Sequence, residues 1–315
     1  MKVYSIFDDF PLEATFLLEN AGVMVTVHPH GVPRPEKAEM KAIFEEYDGV
    51  IIGTSQKMVP EIFENIKSNR VIATASVGLD HIHIPEDKKE YITVFNTPKA
   101  NAQSVAEYTL GCALACVKRF QEGNALYIQG KNNKCLSSKP EDLSGKTFGV
   151  IGAGNISIKI MEYAMFFGGI VICWTAHPEK HADLLEKGVK FVSLEELVCS
   201  SDIISVNLPN KKETENLISG ELVSKMKDSA VFISVSRLQT VDYLALFNKA
   251  IANKNFYVCL DIDLNDEVVQ VCPVSSNVLV TPHIAGGTVE TRRRMFMEVA
   301  SQVAGYYEMA KYEEC

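Results

Sequence analysis

The run Gly152-Ala153-Gly154-Asn155-Ile156-Ser157 follows the apolar stretch Thr147 to Ile151 and leads into the helix-period segment Ile158 to Phe167. Glycines in a strand-to-helix turn have a chemical use. The first permits a tight turn and the second lets backbone amides approach a pyrophosphate. The helix start, at Asn155 and Ile156, adds N–H donors and the positive end of a dipole. Ser157 stands where a third small residue closes the helix onto the strand. Between a strand and a helix, such a turn reads as a dinucleotide phosphate site ahead of an ordinary loop. An acid that holds the ribose hydroxyls of NAD is expected at the end of the next strand. That strand ends Cys173-Trp174-Thr175-Ala176-His177. Thr175 offers no charge to repel a 2'-phosphate, and His177 and Lys180 would attract one, which favours NADP slightly over NAD.

Two further side chains have the chemistry for small acids. Arg237 closes the apolar stretch Val231 to Ser236, where a planar guanidinium can grip a carboxylate and polarise a carbonyl. A bare arginine at a strand end is more often a surface ion-pair former, so only its context raises it. His283, in Thr281-Pro282-His283-Ile284, follows another apolar stretch. An imidazole with an unperturbed pKa near ~6.5 gives and takes a proton at neutral pH. The pairs His28/His30 and His81/His83 read as packing or surface histidines. The eight cysteines have no metal-ligand spacing, and most sit in apolar runs, so reduced buried thiols and no metal site are expected.

The elements that must position these residues form a regular series. Short β-branched runs alternate with helix-period segments, the pattern of parallel sheets built from βαβ units. One set reads Val3 to Ile6, Val23 to Val27, Val50 to Ile52, Val71 to Ala75 and Ile92 to Phe95. After the polar stretch Gly130 to Pro140, a second set reads Thr147 to Ile151, Ile170 to Trp174, Ile203 to Val206, Ala230 to Ser234, Tyr257 to Leu260 and Val278 to Val280. Long helices are expected over Ala102 to Arg119 and from Gly286 towards Cys315, and the second needs something to pack on.

A chain of 315 residues has room for two domains, and 47% apolar with 23% charged residues is a globular composition. The net charge of -9 argues against nucleic acid as a partner. The one basic run, Arg292-Arg293-Arg294, is expected on the solvated face of the last helix. The start carries Asp8 and Asp9 where a signal peptide needs an apolar core, and no stretch reaches the ~18 apolar residues of a membrane span, so a cytoplasmic protein is expected.

Several further stretches resemble the D-isomer-specific 2-hydroxyacid dehydrogenases, the family of D-lactate, glycerate and phosphoglycerate dehydrogenases. They are Ser76-Val77-Gly78-Leu79-Asp80, Asn96-Thr97-Pro98 with Ser104 to Glu107, Leu143 to Thr147, Leu208-Pro209 with Glu213-Thr214, Ser236-Arg237, Leu260-Asp261 and Thr281 to Ala285. They occur in order over roughly Val71 to Thr288. The resemblance implies an α/β protein of two doubly wound parallel-sheet domains, with a Rossmann nucleotide-binding domain (100–285) inserted into a flavodoxin-like substrate domain (1–99 and 286–315). It implies an active site in the cleft between domains.

The same resemblance implies a reaction, hydride transfer between NAD(P)H and a small 2-oxo or 2-hydroxy carboxylic acid, and a division of labour. Arg237 binds the substrate carboxylate, together with the amides of Val77 and Gly78. His283 is the acid/base. Asp266 takes the place of the glutamate that keeps this histidine protonated, with Glu267 beside it as a substitute. Asp261 binds the nicotinamide carboxamide, and Ser236 and Pro209 line the same ring or its ribose. The helix Ala102 to Arg119 resembles the family's dimerisation element, which implies a homodimer. Departures from the family pattern at Ser157, Thr175, Leu238 and Asp266 leave a second reading open, a cofactor-sensing, corepressor-like binding protein on the same fold.

Overall fold

The computed structural model describes residues 1–262, 268–273 and 275–313. The chain divides into two compact units, Met1–Asn101 with Thr288–Cys315, and Ala102–Gly287.

Unit 1 is a five-stranded parallel sheet: β1 (Lys2–Ser5), β2 (Met24–Val27), β3 (Gly49–Ile52), β4 (Arg70–Thr74) and β5 (Ile92–Phe95) in the order β2-β1-β3-β4-β5. Every residue of β3 is buried, as expected where both faces of a parallel sheet are covered. The helix Leu12–Asn20 runs between β1 and β2, and Lys37–Glu46 between β2 and β3. The second starts on a capping box of Glu36 and Glu39.

The helix Val289–Glu313 belongs to this unit. Its Phe296, Val299, Ala300, Val303, Ala304 and Tyr307 recur at helical spacing and enter the same core as Ile51 and Phe7. Full burial of a ring such as Phe296 stabilises by about 2 kcal/mol. The basic run is more than a solvated face. Arg292 makes two bonds to Asp9, of 2.6 and 2.7 Å, and lies over the Phe7 and Phe296 rings; Arg293 pairs with Glu13, and Arg294 donates to the Ala100 carbonyl.

Unit 2 is a seven-stranded parallel sheet: β6 (Thr147–Ile151), β7 (Ile170–Trp174), β8 (Lys190–Phe191), β9 (Ile203–Val206), β10 (Val231–Ser234), β11 (Tyr257–Asp261) and β12 (Val278–Thr281). Its order, β12-β11-β10-β9-β6-β7-β8, reverses direction between β6 and β9. Ligands of open α/β sheets bind at the carboxyl ends of the strands beside such a switch point. The two-residue edge strand β8 is too short to carry an alternation that sequence reading detects.

The helix expected over Ala102 to Arg119 stops at Val117. Arg119 adopts φ +61°, and a second helix, Phe120–Ile128, follows. The cause is the guanidinium. It is buried, donates to Ser137, Ser138, Asn255 and the Tyr257 hydroxyl, and lies 5.0 Å from the Tyr257 ring centroid. The polar stretch Gly130 to Pro140 also holds a short 3-10 turn, Asn133–Cys135. Cys112, Cys116, Cys173 and Cys259 are buried free thiols, whereas Cys135 and Cys199 are exposed, which corrects the expectation for those two. Cys116 and Cys259 lie 3.4 Å apart in the core of unit 2.

Candidate active site

Because all strands of unit 2 run the same way, Gly152, Thr175, Pro209, Ser236, Asp261 and His283 all lie at or just beyond the carboxyl ends of strands in one sheet. The glycine turn leaves β6 at the switch point. Gly152 has φ +101°, and a Cβ there would sit 2.7 Å from the Asn207 carbonyl oxygen, so the fold itself demands glycine. Gly154 is different. A Cβ there would meet nothing within 4 Å, so the protein leaves open space at that point. Gly154 is the N-cap of the helix Asn155–Phe166 and makes no side-chain cap bond, so a helix N-terminus with its dipole end opens onto this space. Ser157 is fully buried, which explains the small residue, and its hydroxyl has no partner among the described residues. A space-leaving glycine, an uncapped helix start and a buried small residue fit the pyrophosphate of a dinucleotide.

The second strand end is less bare than its sequence. Thr175 follows β7, and its hydroxyl accepts from the His177 amide at 3.4 Å. His177 Nδ1 lies 3.2 Å from Glu179, and both side chains are largely exposed. The Glu179 carboxyl is held below the usual range by backbone amide bonding and by His177. A carboxylate therefore stands near this strand end after all, on the 3-10 turn Pro178–Lys180.

β10 ends at Ser234, the expected strand end, and Ser236 turns towards the neighbouring loop. The Ser236 hydroxyl donates to the Val206 carbonyl at 2.8 Å and accepts from the Leu208 amide at 2.7 Å, tying the loop after β9 to the loop after β10. Pro209, on that loop, is exposed, and its carbonyl accepts from the Thr214 hydroxyl. Arg237 is exposed and caps the 3-10 turn Leu238–Thr240, its carbonyl accepting from the Thr240 hydroxyl at 2.8 Å.

The buried Asp261 carboxylate is surrounded by donors from the loop after β12. Oδ1 accepts from the Thr281 hydroxyl at 2.5 Å and from the Ile284 amide at 2.8 Å, and Oδ2 accepts from the Ala285 amide at 2.8 Å. Between these donors His283 takes φ +52° and stays exposed. The Tyr108 hydroxyl lies 2.6 Å from Thr281 Oγ1. Since Thr281 spends its one proton on Asp261, Tyr108 is the donor to Thr281. Burial, with Cys112 beside it, pushes the Tyr108 phenol well above its ordinary pKa and keeps it a donor. Asp266 and Glu267 lie outside the described residues.

In unit 1 the loop after β4 holds Val77 and Gly78. The Ser76 carbonyl accepts from the Thr97 amide at 2.9 Å and its hydroxyl at 3.1 Å, and the Val77 carbonyl accepts from Asn96 Nδ2 at 2.8 Å. The amides of Val77 and Gly78 donate to no other described residue.

Three neighbours of the site are not singled out by the sequence: Thr281 begins the Thr281 to Ala285 stretch without a role of its own, Glu179 lies four residues beyond the position expected to hold an acid, and Tyr108 carries no signal because its partner Thr281 is remote in the chain. Among the described residues no group of three or more His, Cys, Asp or Glu could hold a metal ion.

Comparison with known proteins bears on the family and the fold. The family model for the D-isomer-specific 2-hydroxyacid dehydrogenase NAD-binding domain matches residues 110–285. The chain is 34% identical to a hydroxypyruvate reductase of Thermotoga maritima over 310 residues, covering 96% of this chain and 98% of the relative. It is 31% identical to a glyoxylate reductase of Thermofilum pendens, covering 86% and 81%. The crystal structure of a D-lactate dehydrogenase from Aquifex aeolicus complexed with NAD and lactic acid superposes with a TM-score of 0.77 at 27% identity, covering 97% of this chain and 95% of that one. The match extends over nearly the whole length of both partners, and on that ground the chain belongs to the D-isomer-specific 2-hydroxyacid dehydrogenase family.

Proposed function

We propose that the protein is a nicotinamide-dependent oxidoreductase that moves a hydride between NAD(P)H and a small 2-oxo or 2-hydroxy carboxylic acid, acting on the D-isomer. The observation that carries this reading is the full-length relationship to a hydroxypyruvate reductase, in a chain that keeps the glycine turn, Arg237 and His283 at strand ends of one sheet. The sensing alternative gains nothing from these relatives, which are named as reductases and a dehydrogenase.

Gly152, Gly154 and the amides of Asn155 and Ile156 hold the pyrophosphate, and Thr175 faces the adenosine ribose. Ser236 and Pro209 line the nicotinamide end. Asp261, the residue assigned to the carboxamide, has both oxygens engaged by Thr281, Ile284 and Ala285, so we add a second duty: it fixes the turn that presents His283. The nicotinamide, when bound, supplies or accepts the hydride. Arg237 grips the substrate carboxylate and polarises its carbonyl, with Val77 and Gly78 donating amides. His283 delivers the proton to the carbonyl oxygen in reduction and takes it back in oxidation. Asp266 is assigned as the carboxylate partner of that imidazole.

The names of the relatives support a two- or three-carbon 2-oxo acid as substrate. For the cofactor, the missing acid at Thr175 supports NADP slightly over NAD, while the Glu179 carboxylate supports use of NAD as well. We further propose a homodimer. The helices Ala102–Val117 and Phe120–Ile128 supply the contact, since the second buries none of its residues and exposes Phe120, Tyr127 and Ile128. A monomer by light scattering at micromolar concentration would remove that idea. Among the described residues no helix is long and apolar enough to cross a membrane, and we place the protein in the cytoplasm.

The test is oxidation of NADH and of NADPH across a panel of small 2-oxo acids, with Arg237→Ala as control. Turnover by the parent, lost by about a hundredfold or more in the variant while cofactor binding survives, is the expected result. Activity within a few-fold of the parent would remove Arg237 from its role.

A further inference from the structure

Beneath the loop of Val77 and Gly78 lies a chain of three buried polar side chains. His81 Nε2 is 3.0 Å from Thr74 Oγ1, Thr74 Oγ1 is 2.8 Å from Ser76 Oγ, and Ser76 Oγ donates to the Gly78 carbonyl at 2.8 Å. All three are at least nine-tenths buried. Burying polar groups costs free energy unless each is bonded, and an apolar trio would fill the same space without that requirement.

Proton counting gives the chain a direction. Each hydroxyl has one proton. Ser76 spends its own on Gly78, so it accepts from Thr74; Thr74 thereby spends its own, so it accepts from His81 Nε2–H. Burial holds the His81 pKa below its ordinary value, the nearby Asp80 opposing and His83 reinforcing, so the ring is neutral and carries its single proton on Nε2. The relay runs His81, Thr74, Ser76, Gly78 carbonyl.

The Gly78 carbonyl shares a peptide plane with the Leu79 amide. With the Ser76 carbonyl held by Thr97 and the Val77 carbonyl by Asn96, three consecutive planes are tied at their oxygens. The amides on the other side belong to Val77, Gly78 and Leu79, and none donates to another described residue. A carbonyl that accepts a hydrogen bond also polarises the N–H of its own plane and makes it a better donor.

We propose that His81, acting through Thr74 and Ser76, is a positioning residue that sets the backbone amides of Val77, Gly78 and Leu79 to bind the substrate carboxylate. The proposal rests on the assignment of this loop to the carboxylate. His81 does not touch substrate, so its loss acts on substrate affinity more than on turnover at saturation.

The experiment compares His81→Phe, which keeps a ring but removes the donor, with His81→Gln, which keeps an N–H donor, and with Ser76→Ala and the double variant Ser76→Ala/His81→Phe. Steady-state kinetics with glyoxylate and pyruvate are read beside NADH binding by fluorescence and thermal unfolding. His81→Phe and Ser76→Ala should each raise KM for the 2-oxo acid by about tenfold, with kcat and NADH affinity within about threefold of the parent. His81→Gln should recover most of the loss. The double variant should be no worse than either single, because both cut one relay. If His81→Phe does not fold, Ser76→Ala against the parent carries the comparison. An unchanged KM in the folded variants, or a double variant whose losses multiply, overturns the relay alone. A parent that turns over no 2-oxo acid overturns the underlying functional reading.

Discussion

The Thr281 hydroxyl lies 2.5 Å from the Asp261 carboxylate, joining the ends of neighbouring strands β12 and β11 two residues before His283. The same carboxylate takes the amides of Ile284 and Ala285, so one buried acid defines the turn on both sides of the histidine. Asp261→Asn keeps the shape but turns one acceptor into a donor facing an N–H or O–H. We expect a stability loss of about 2 kcal/mol by urea titration, and a fall in kcat larger than any rise in the cofactor dissociation constant. An Asn variant as stable as the parent would show that the turn does not depend on this charge.

The two glycines of the turn should separate fold from ligand. Gly152→Ala meets the Asn207 carbonyl and a φ of +101°, so it should lower stability by about 1–3 kcal/mol as well as cofactor affinity. Gly154→Ala meets no protein atom, so its unfolding midpoint should match the parent while NAD(P)H affinity drops. Calorimetry and fluorescence titration on the same preparations check both. Equal thermal losses in the two variants would contradict the distinction.

Glu179 pairs with His177 just beyond the end of β7, the strand end to which we assign the adenosine ribose. Glu179→Gln should raise the NADPH-to-NADH ratio of kcat/KM by roughly three- to tenfold, mainly through KM. Measured at two ionic strengths, the gain should shrink as salt screens it. A ratio unmoved by the substitution would place Glu179 outside the cofactor's reach.

The fold was legible wherever a local pattern carried it. Continuous β-branched runs gave Ile92–Phe95, Thr147–Ile151, Ile170–Trp174 and Ile203–Val206 with their observed ends. A strand buried on both faces needs such a run. Arg119 shows where the pattern fails: its helix ends because a guanidinium bonds Tyr257 and Asn255, more than 130 positions away, and no window of sequence contains both. The site divides in the same way. The glycine turn and the strand-end Arg237 and His283 are local features. The Tyr108, Thr281 and Asp261 chain and the engagement of Asp261 by the loop after β12 arise only when distant segments meet, and the Glu179 pairing depends on the turn that brings His177 beside it. Asp266, named from the motif alone, lies outside the described residues.

Asp9 and Arg292 join the first loop of unit 1 to its returning helix. The Arg292 bonds hold the Asp9 carboxyl below its ordinary pKa, with burial opposing. A depressed folded pKa gives stability that is present above the unfolded value near ~4 and is lost as pH falls through the lower folded value. Both side chains are about half exposed, so solvent screening limits the pair to no more than about 1 kcal/mol. The gap in urea stability between the parent and Asp9→Asn should therefore be open at pH 6 and narrow as pH drops below about 4. A gap that stays constant down to pH 3 would contradict the pairing.

The most direct test of the central claim follows the hydride itself. Reduction of pyruvate or glyoxylate with nicotinamide cofactor deuterated at C4 should place deuterium at C2 of the product, and chiral chromatography of the lactate should give the D-isomer. Product without deuterium, or L-lactate, would contradict the account.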